Sequence, residues 1–130
     1  MKALYIDSSV VIAILLNEVN AKKMRKLIGT YDEVLSSHLI EAEVSSAAFR
    51  EKVDLELAGR MLDHVSLIFP DRSLRDEYAG VLRAGYCRGS DLYHLACLLY
   101  VDPERSLPLL TLDLRQSEIA HKIGLKVLKH

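Results

Sequence analysis

Residues 2–16 read Lys2-Ala3-Leu4-Tyr5-Ile6-Asp7-Ser8-Ser9-Val10-Val11-Ile12-Ala13-Ile14-Leu15-Leu16, a short apolar run that stops on an aspartate and resumes as a longer one after two serines. Lys2–Ile6 has the length and composition of a buried strand, and Ser8–Leu16 reads as a helix that Asp7 or Ser8 caps. A strand passing into a helix at a polar residue is the opening unit of an α/β sheet. The ends of such strands are where α/β proteins put their chemistry. The same event recurs near the other terminus, where the strand Leu109–Leu112 stops on Asp113. Gln116, three residues on, resembles the partner of Asp113 in a capping pair for a helix to about Ile123.

Between these two units, Val19–Ile28 reads as a helix closed by Gly29, and Glu33–Ser36 as a short strand. Ser37 is placed to cap a helix running to about Lys52. Asp54 opens another, with Leu57, Met61, Leu62 and Val65 at helical spacing, and its end runs into the apolar segment Val65–Phe69, closed by Pro70. Ser73–Ala84 has the pattern of a helix ending at Gly85, and Ser90–Tyr100 that of a mostly buried one. Gly124 then frees the chain for a last short strand, Lys126–Leu128. Strands separated by helices predict an α/β class with a small parallel sheet.

With 130 residues and 50% hydrophobic content, the chain predicts one domain over residues 1–130, able to remove roughly two thirds of its unfolded surface from water. Aromatics are 6% and Trp is absent, so the core is aliphatic. The formal net charge of −1 announces no bulk attraction to nucleic acid, and any polyanion contact must use a local basic patch. Val10–Leu16 is too short to cross a bilayer, and Asp7, Ser8 and Ser9 interrupt any resemblance to a signal peptide. Cys87 and Cys97 form neither a metal-type pair nor a disulfide framework. A reduced, cytoplasmic protein with no membrane association is expected.

Four acids carry the chemistry. Asp7 and Asp113 sit at strand ends, and Asp91 follows Ser90 in the first turn of a helix. Each has a structural reading as a helix cap or a charge favoured by the helix dipole. Glu43 is different, because its neighbours three and four positions away are Leu39, Ile40, Ser46 and Ala47, which place it on an inward face. Glu41 points to nearly the opposite side. A buried unpaired carboxylate is costly, so Glu43 requires a partner, either a metal or an arginine such as Arg50, seven residues on. Strand C-termini of a parallel sheet share one edge, which brings Asp7 and Asp113 near each other. Two carboxylates about 4 Å apart repel by about 4 kcal/mol at an effective dielectric near 20. Four gathered together call for a cation, and all-oxygen ligation favours Mg²⁺ or Mn²⁺. The chemistry implied is metal-assisted phosphodiester hydrolysis.

On these residues the chain resembles the PIN-domain ribonucleases and, within them, the VapC-type toxins of toxin–antitoxin pairs. Tyr5-Ile6-Asp7-Ser8-Ser9-Val10 is similar to the opening acid-plus-hydroxyl motif, and Ser37-His38-Leu39-Ile40-Glu41-Ala42-Glu43 to the second, in a register that selects Glu43. Gly89-Ser90-Asp91-Leu92-Tyr93-His94-Leu95-Ala96 resembles the third motif; Leu110-Thr111-Leu112-Asp113-Leu114-Arg115, followed by Gly124-Leu125-Lys126-Val127, resembles the fourth. The resemblance implies a three-layer α/β/α fold and Mg²⁺- or Mn²⁺-dependent cleavage of RNA. It carries metal-site roles onto Asp7, Glu43, Asp91 and Asp113, and gives Ser9 and Thr111 the role of hydroxyls that orient them. It also implies a cognate antitoxin that inserts a basic side chain into the acidic pocket, and a homodimer. The same pocket serves a PIN nuclease of RNA processing or, if silent, a PIN-like binding module.

Other residues have two readings. His94, three residues after Asp91, is either a ligand or a packed helix histidine with satisfied nitrogens. Arg88 and Arg115 flank Asp91 and Asp113 and are candidate phosphate contacts. Tyr86 and Tyr93 are candidates for stacking bases or for core and interface positions. A phosphatase with a nucleophilic first-strand Asp usually has a second acid two residues later, where Ser9 stands. A receiver domain needs an acid pair at the first strand and a late strand-end Lys, for which only Lys126 is on offer.

Overall fold

The computed structural model describes residues 1–130. Four strands, β1 (Ala3–Ile6), β2 (Glu33–Ser37), β3 (Ser66–Ile68) and β4 (Leu109–Leu110), form a parallel sheet in the order β3-β2-β1-β4. The helices are α1 (Ser8–Leu15), α2 (Ala21–Ile28), α3 (Leu39–Arg50), α4 (Leu55–Leu62), α5 (Arg75–Leu82), α6 (Gly89–Val101) and α7 (Leu114–Lys122).

The layers follow from the two-residue alternation of strand side chains. On β1, Leu4 and Ile6 face a cluster containing Val10, Val11 and Ile14 of α1, Met24 of α2, Ile40 and Val44 of α3, and Ala58 and Leu62 of α4. Tyr5 faces the other way, with Leu74, Val81 of α5, Leu95 and Leu98 of α6, and Ile119 and Ala120 of α7. The sheet is therefore sandwiched, with α1–α4 on one face and α5–α7 on the other. This is the three-layer α/β/α arrangement.

Right-handed crossovers explain the partition. The chain steps from β1 to β2 to β3 in one direction with its helices on one face, then returns over the other face to set β4 on the far side of β1. The strand order reverses between β1 and β4, which makes their C-terminal ends the switch point of the sheet.

Four local expectations differ from the structure. The segment after α4 holds β3, although the helical spacing of its apolar residues runs on through Val65. Lys126–Leu128 is no strand of the sheet but a single bridge between Val127 and Leu109. Ser37 ends β2 instead of capping α3, whose N-cap is His38 without a side-chain bond. Strand β4 stops two residues early because β1 has already turned into α1. The Leu112 amide donates instead to Ser9 Oγ (2.9 Å), and that of Asp113 to Thr111 Oγ1 (3.0 Å). No helix is long and apolar enough to cross a membrane.

Candidate metal centre

Asp7 is the N-cap of α1 and only 3% exposed. Its carboxylate is engaged on both sides. Ser9 donates to Oδ1 from its amide (3.1 Å) and its hydroxyl, and Thr111 Oγ1 donates to Oδ2 at 2.6 Å. The pairing of Tyr5 with Leu109 and Ile6 with Leu110 makes the Thr111 contact unavoidable, since the next residues level with each other are Asp7 and Thr111. Burial pushes the Asp7 carboxyl up to about 6, against the pull of the two hydroxyls and His94, and with a further push from Asp113.

Asp113 is the N-cap of α7, accepting from the Gln116 amide at 2.9 Å through Oδ1, which leaves Oδ2 without a hydrogen-bond partner in the protein. Gln116 does not return the bond. Its side chain is fully buried, with Oε1 accepting from Thr111 (3.2 Å) and Nε2 donating to the Asp91 carbonyl (3.2 Å). The chain of contacts Asp7–Thr111–Gln116 thus ties β1 and β4 to the start of α6.

Asp91 lies in the first turn of α6, half-buried. Its carboxyl is raised by burial and by the nearby charges of Asp113 and Glu43, with Arg88 and His94 opposing. Glu43 reaches the same neighbourhood from α3. Its partner is His94, whose Nε2 meets Glu43 Oε1 at 2.5 Å while Nδ1 meets Ser37 Oγ at 3.1 Å. Arg50 does not compete, being exposed and paired with Glu51. Glu41 is exposed, as its opposite helical face requires. His94 is a fully buried helix histidine with both nitrogens satisfied, and it is also what holds Glu43.

A surface cavity of about 430 Å³ opens beside these groups, lined by Asp91, Asp113, Arg88, Arg115, Tyr86 and Cys87. Arg115 is fixed by donation from Nε to the Tyr86 carbonyl (3.1 Å). Ser37 and Gln116 support these acids without being singled out for that role in the sequence. Both resemble caps from their spacing, and only the tertiary contacts reveal their use.

The starts of α1, α6 and α7 converge here, and their dipoles favour the aspartates they carry. No three carboxylate, imidazole or thiol groups stand within coordinating reach of one point. The donor set nevertheless fits a hard divalent cation. The Asp91 carboxylate, Asp113 Oδ2 and Glu43 Oε2 are oxygens not committed to a protein partner, and Asp7 stands beside them on its hydroxyls.

Comparison with known proteins gives the family and the fold. The PIN domain family profile matches residues 4–122. The sequence is 33% identical over 131 aligned positions, 98% of each chain, to Ribonuclease VapC46 of Mycobacterium tuberculosis. In fold, the chain is similar to VapBC-1 from nontypeable Haemophilus influenzae, with a TM-score of 0.71 at 16% identity over 98% of this chain and 97% of that one. It is similar also to VapBC2 from Rickettsia felis bound to a DNA fragment from their promoter (TM-score 0.68, 13% identity, 97% of both chains). PAE2754 from Pyrobaculum aerophilum superposes with a TM-score of 0.55 at 23% identity over 96% of this chain and 91% of that one. With strand-end acids at the switch point of a β3-β2-β1-β4 sheet and these likenesses over nearly its whole length, the chain belongs to the PIN-domain family, among its VapC-like members.

Proposed function

We propose that the protein is a Mg²⁺- or Mn²⁺-dependent endoribonuclease, the toxin of a type II toxin–antitoxin pair, built as one PIN-like unit over residues 1–130 and working in the cytoplasm. The observation that carries this reading is the seating of Asp7 at the sheet's switch point on the hydroxyls of Ser9 and Thr111, within the field of Asp113, which also acts on Asp91. Asp7, Glu43, Asp91 and Asp113 would hold the ion. When bound, the ion supplies activation of a water for attack on a phosphodiester and neutralisation of the leaving oxygen.

The chain's own residues set the stage. Ser9 and Thr111 keep the Asp7 carboxylate in one orientation, so that no rotamer search is needed when the ion arrives. His94 does the same for Glu43 from a ring fixed at its far side by Ser37. Arg88 and Arg115, beside Asp91 and Asp113 in the cavity wall, meet the phosphates flanking the cleaved bond. The likeness to Ribonuclease VapC46 and to the VapBC assemblies supports RNA as substrate and an antitoxin protein as partner, its basic side chain neutralising the same acids. A homodimer is part of the same reading.

The test is cleavage of total RNA by purified protein with and without chelator, alongside the Asp7→Asn variant. Cleavage that needs Mg²⁺ or Mn²⁺ and vanishes in the variant is expected. A melting temperature raised by Mn²⁺ in the parent and not in the variant reports binding independently of activity. Cleavage indifferent to chelator, or retained by the variant, overturns the reading.

A further inference from the structure

We propose that Phe69, His38 and Tyr93 form a platform on which a base of single-stranded RNA stacks beside the acid site, an inference that rests on the ribonuclease reading and deepens it. His38 and Phe69 are the residues that follow β2 and β3, so they continue the C-terminal sheet edge away from Asp7. At the spacing of neighbouring strands they lie about 5 and 10 Å along that edge. Each member is also next in sequence to a residue of the site or sheet: His38 follows Ser37, and Tyr93 precedes His94.

The three rings are ordered by one another. Phe69 stacks on the His38 imidazole with centroids 4.8 Å apart and planes 18° from parallel. Tyr93 meets that imidazole edge-on at 5.6 Å, and its hydroxyl shares a 2.8 Å hydrogen bond with His38 Nε2. Yet 63% of Phe69 remains exposed. A single exposed apolar side chain is ordinary, but one held flat by a hydrogen-bonded imidazole at the rim of an acid site is a prepared surface.

Electrostatics favours a base as its occupant. A chain of net charge −1 with four acids at its centre gains little from the phosphate backbone, so RNA must be held in part by contacts that do not depend on charge. Stacking on aromatic rings is the contact of that kind that every base can make.

The absence of tryptophan supplies the test. Phe69→Trp introduces a sole tryptophan, to be titrated in EDTA with a single-stranded oligoadenylate and with an abasic oligomer of equal length. Saturable quenching by the first and none by the second is expected. Phe69→Ala, at a position too exposed to endanger the fold, is expected to weaken oligoadenylate binding about five- to a hundredfold and to raise KM by more than it lowers kcat. Equal signals from both oligomers, or unchanged binding in Phe69→Ala, overturn the proposal. So does a loss of dimer in sedimentation with RNA affinity intact, which would assign the face to a second copy of the chain. Base-dependent quenching of Phe69→Trp beside a parent that cleaves no RNA sinks the nuclease reading alone.

Discussion

The two halves of the acid cluster are held in different ways. Asp7 and Glu43 are gripped by protein atoms, Asp7 by Ser9 and Thr111 and Glu43 by His94, which Ser37 fixes in turn. Asp91 is held only through its carbonyl and Asp113 through one carboxylate oxygen that caps α7, and both line a cavity that also holds Arg88 and Arg115. The gripped half has its geometry before anything binds. The open half has no comparable grip on its carboxylates, whose like charges repel each other. The comparison separates residues that position from residues that respond, and it can be broken at four points.

The largest effect is expected at the gripped end. Asp7→Asn keeps the cap and most hydrogen bonds of the site but removes its most deeply buried charge. A loss of several kcal/mol of transition-state stabilisation, about a thousandfold in cleavage rate, is expected in a single-turnover RNA assay. Loss of similar size on Asp91→Asn with little change in Asp7→Asn would invert the comparison.

Next in size is a pH effect on stability. The Asp7 carboxyl rises from 3.8 to about 6 on folding. Below about pH 4 it is protonated in both the folded and unfolded chain and adds no penalty. Between about 4 and 6 the unfolded chain ionises first, so stability falls. Above that the loss is complete, about 3 kcal/mol at about 1.4 kcal/mol for each pH unit. Urea unfolding in EDTA at pH 4 and pH 7 is expected to show Asp7→Asn overtaking the parent only at the higher pH. Saturating Mn²⁺ is expected to return the difference to the parent.

How far these features are legible in the sequence depends on distance along the chain. The strand–Asp–helix units at residues 3–15 and 109–122 are local, and they gave the sheet and two of the acids. Glu43 was visible because a carboxylate on an apolar helix face is an anomaly of helical period. Its partner was not visible, since His94 lies 51 positions away while Arg50 lies seven away on the same face. Period and spacing know nothing of which elements meet across a sheet edge. Ser37 and Gln116 misled for a related reason: a serine before a helix and a glutamine three residues after an Asp have the composition of caps, and the fold spends their side chains on His94, Thr111 and the Asp91 carbonyl. Strand β3 escaped because three residues are too few to establish alternation after a helix whose spacing runs on through Val65.

The His94 link sharpens the comparison at intermediate size. His94→Gln keeps a polar group near Ser37 but withdraws the bond to Glu43 Oε1. Outer contacts of this kind are worth about 10- to 100-fold in metal affinity. A Mn²⁺ titration followed by melting temperature is expected to shift by that factor, while a chelated sample, compared with the parent, measures the packing cost separately. An unchanged titration would show that Glu43 needs no help to face the site, and the gripped half would shrink to Asp7 alone.

The smallest expected effect lies in the open half. Arg115 packs beside Gly85, where an added Cβ would stand 2.8 Å from the buried Ile119 Cδ1 and 2.9 Å from Arg115 Nη2, and the Tyr86 carbonyl holds its Nε. The guanidinium also pairs through Nη1 with Glu118 at 3.3 Å on the exposed surface, a bond that an arriving phosphate would replace. Arg115→Ala is expected to weaken RNA binding only a few-fold, alike for every sequence, and to reduce the salt dependence by about 0.7 in log–log slope, the share of one phosphate on a single strand. Gly85→Ala, whose methyl meets both Ile119 and Arg115 at a backbone of positive φ, is expected to lower the melting temperature and, in protein still folded, to reproduce that change in slope with Arg115 present. If the glycine variant leaves the slope intact, the guanidinium finds phosphate from any orientation, and the open half of the site owes nothing to the loop before α6.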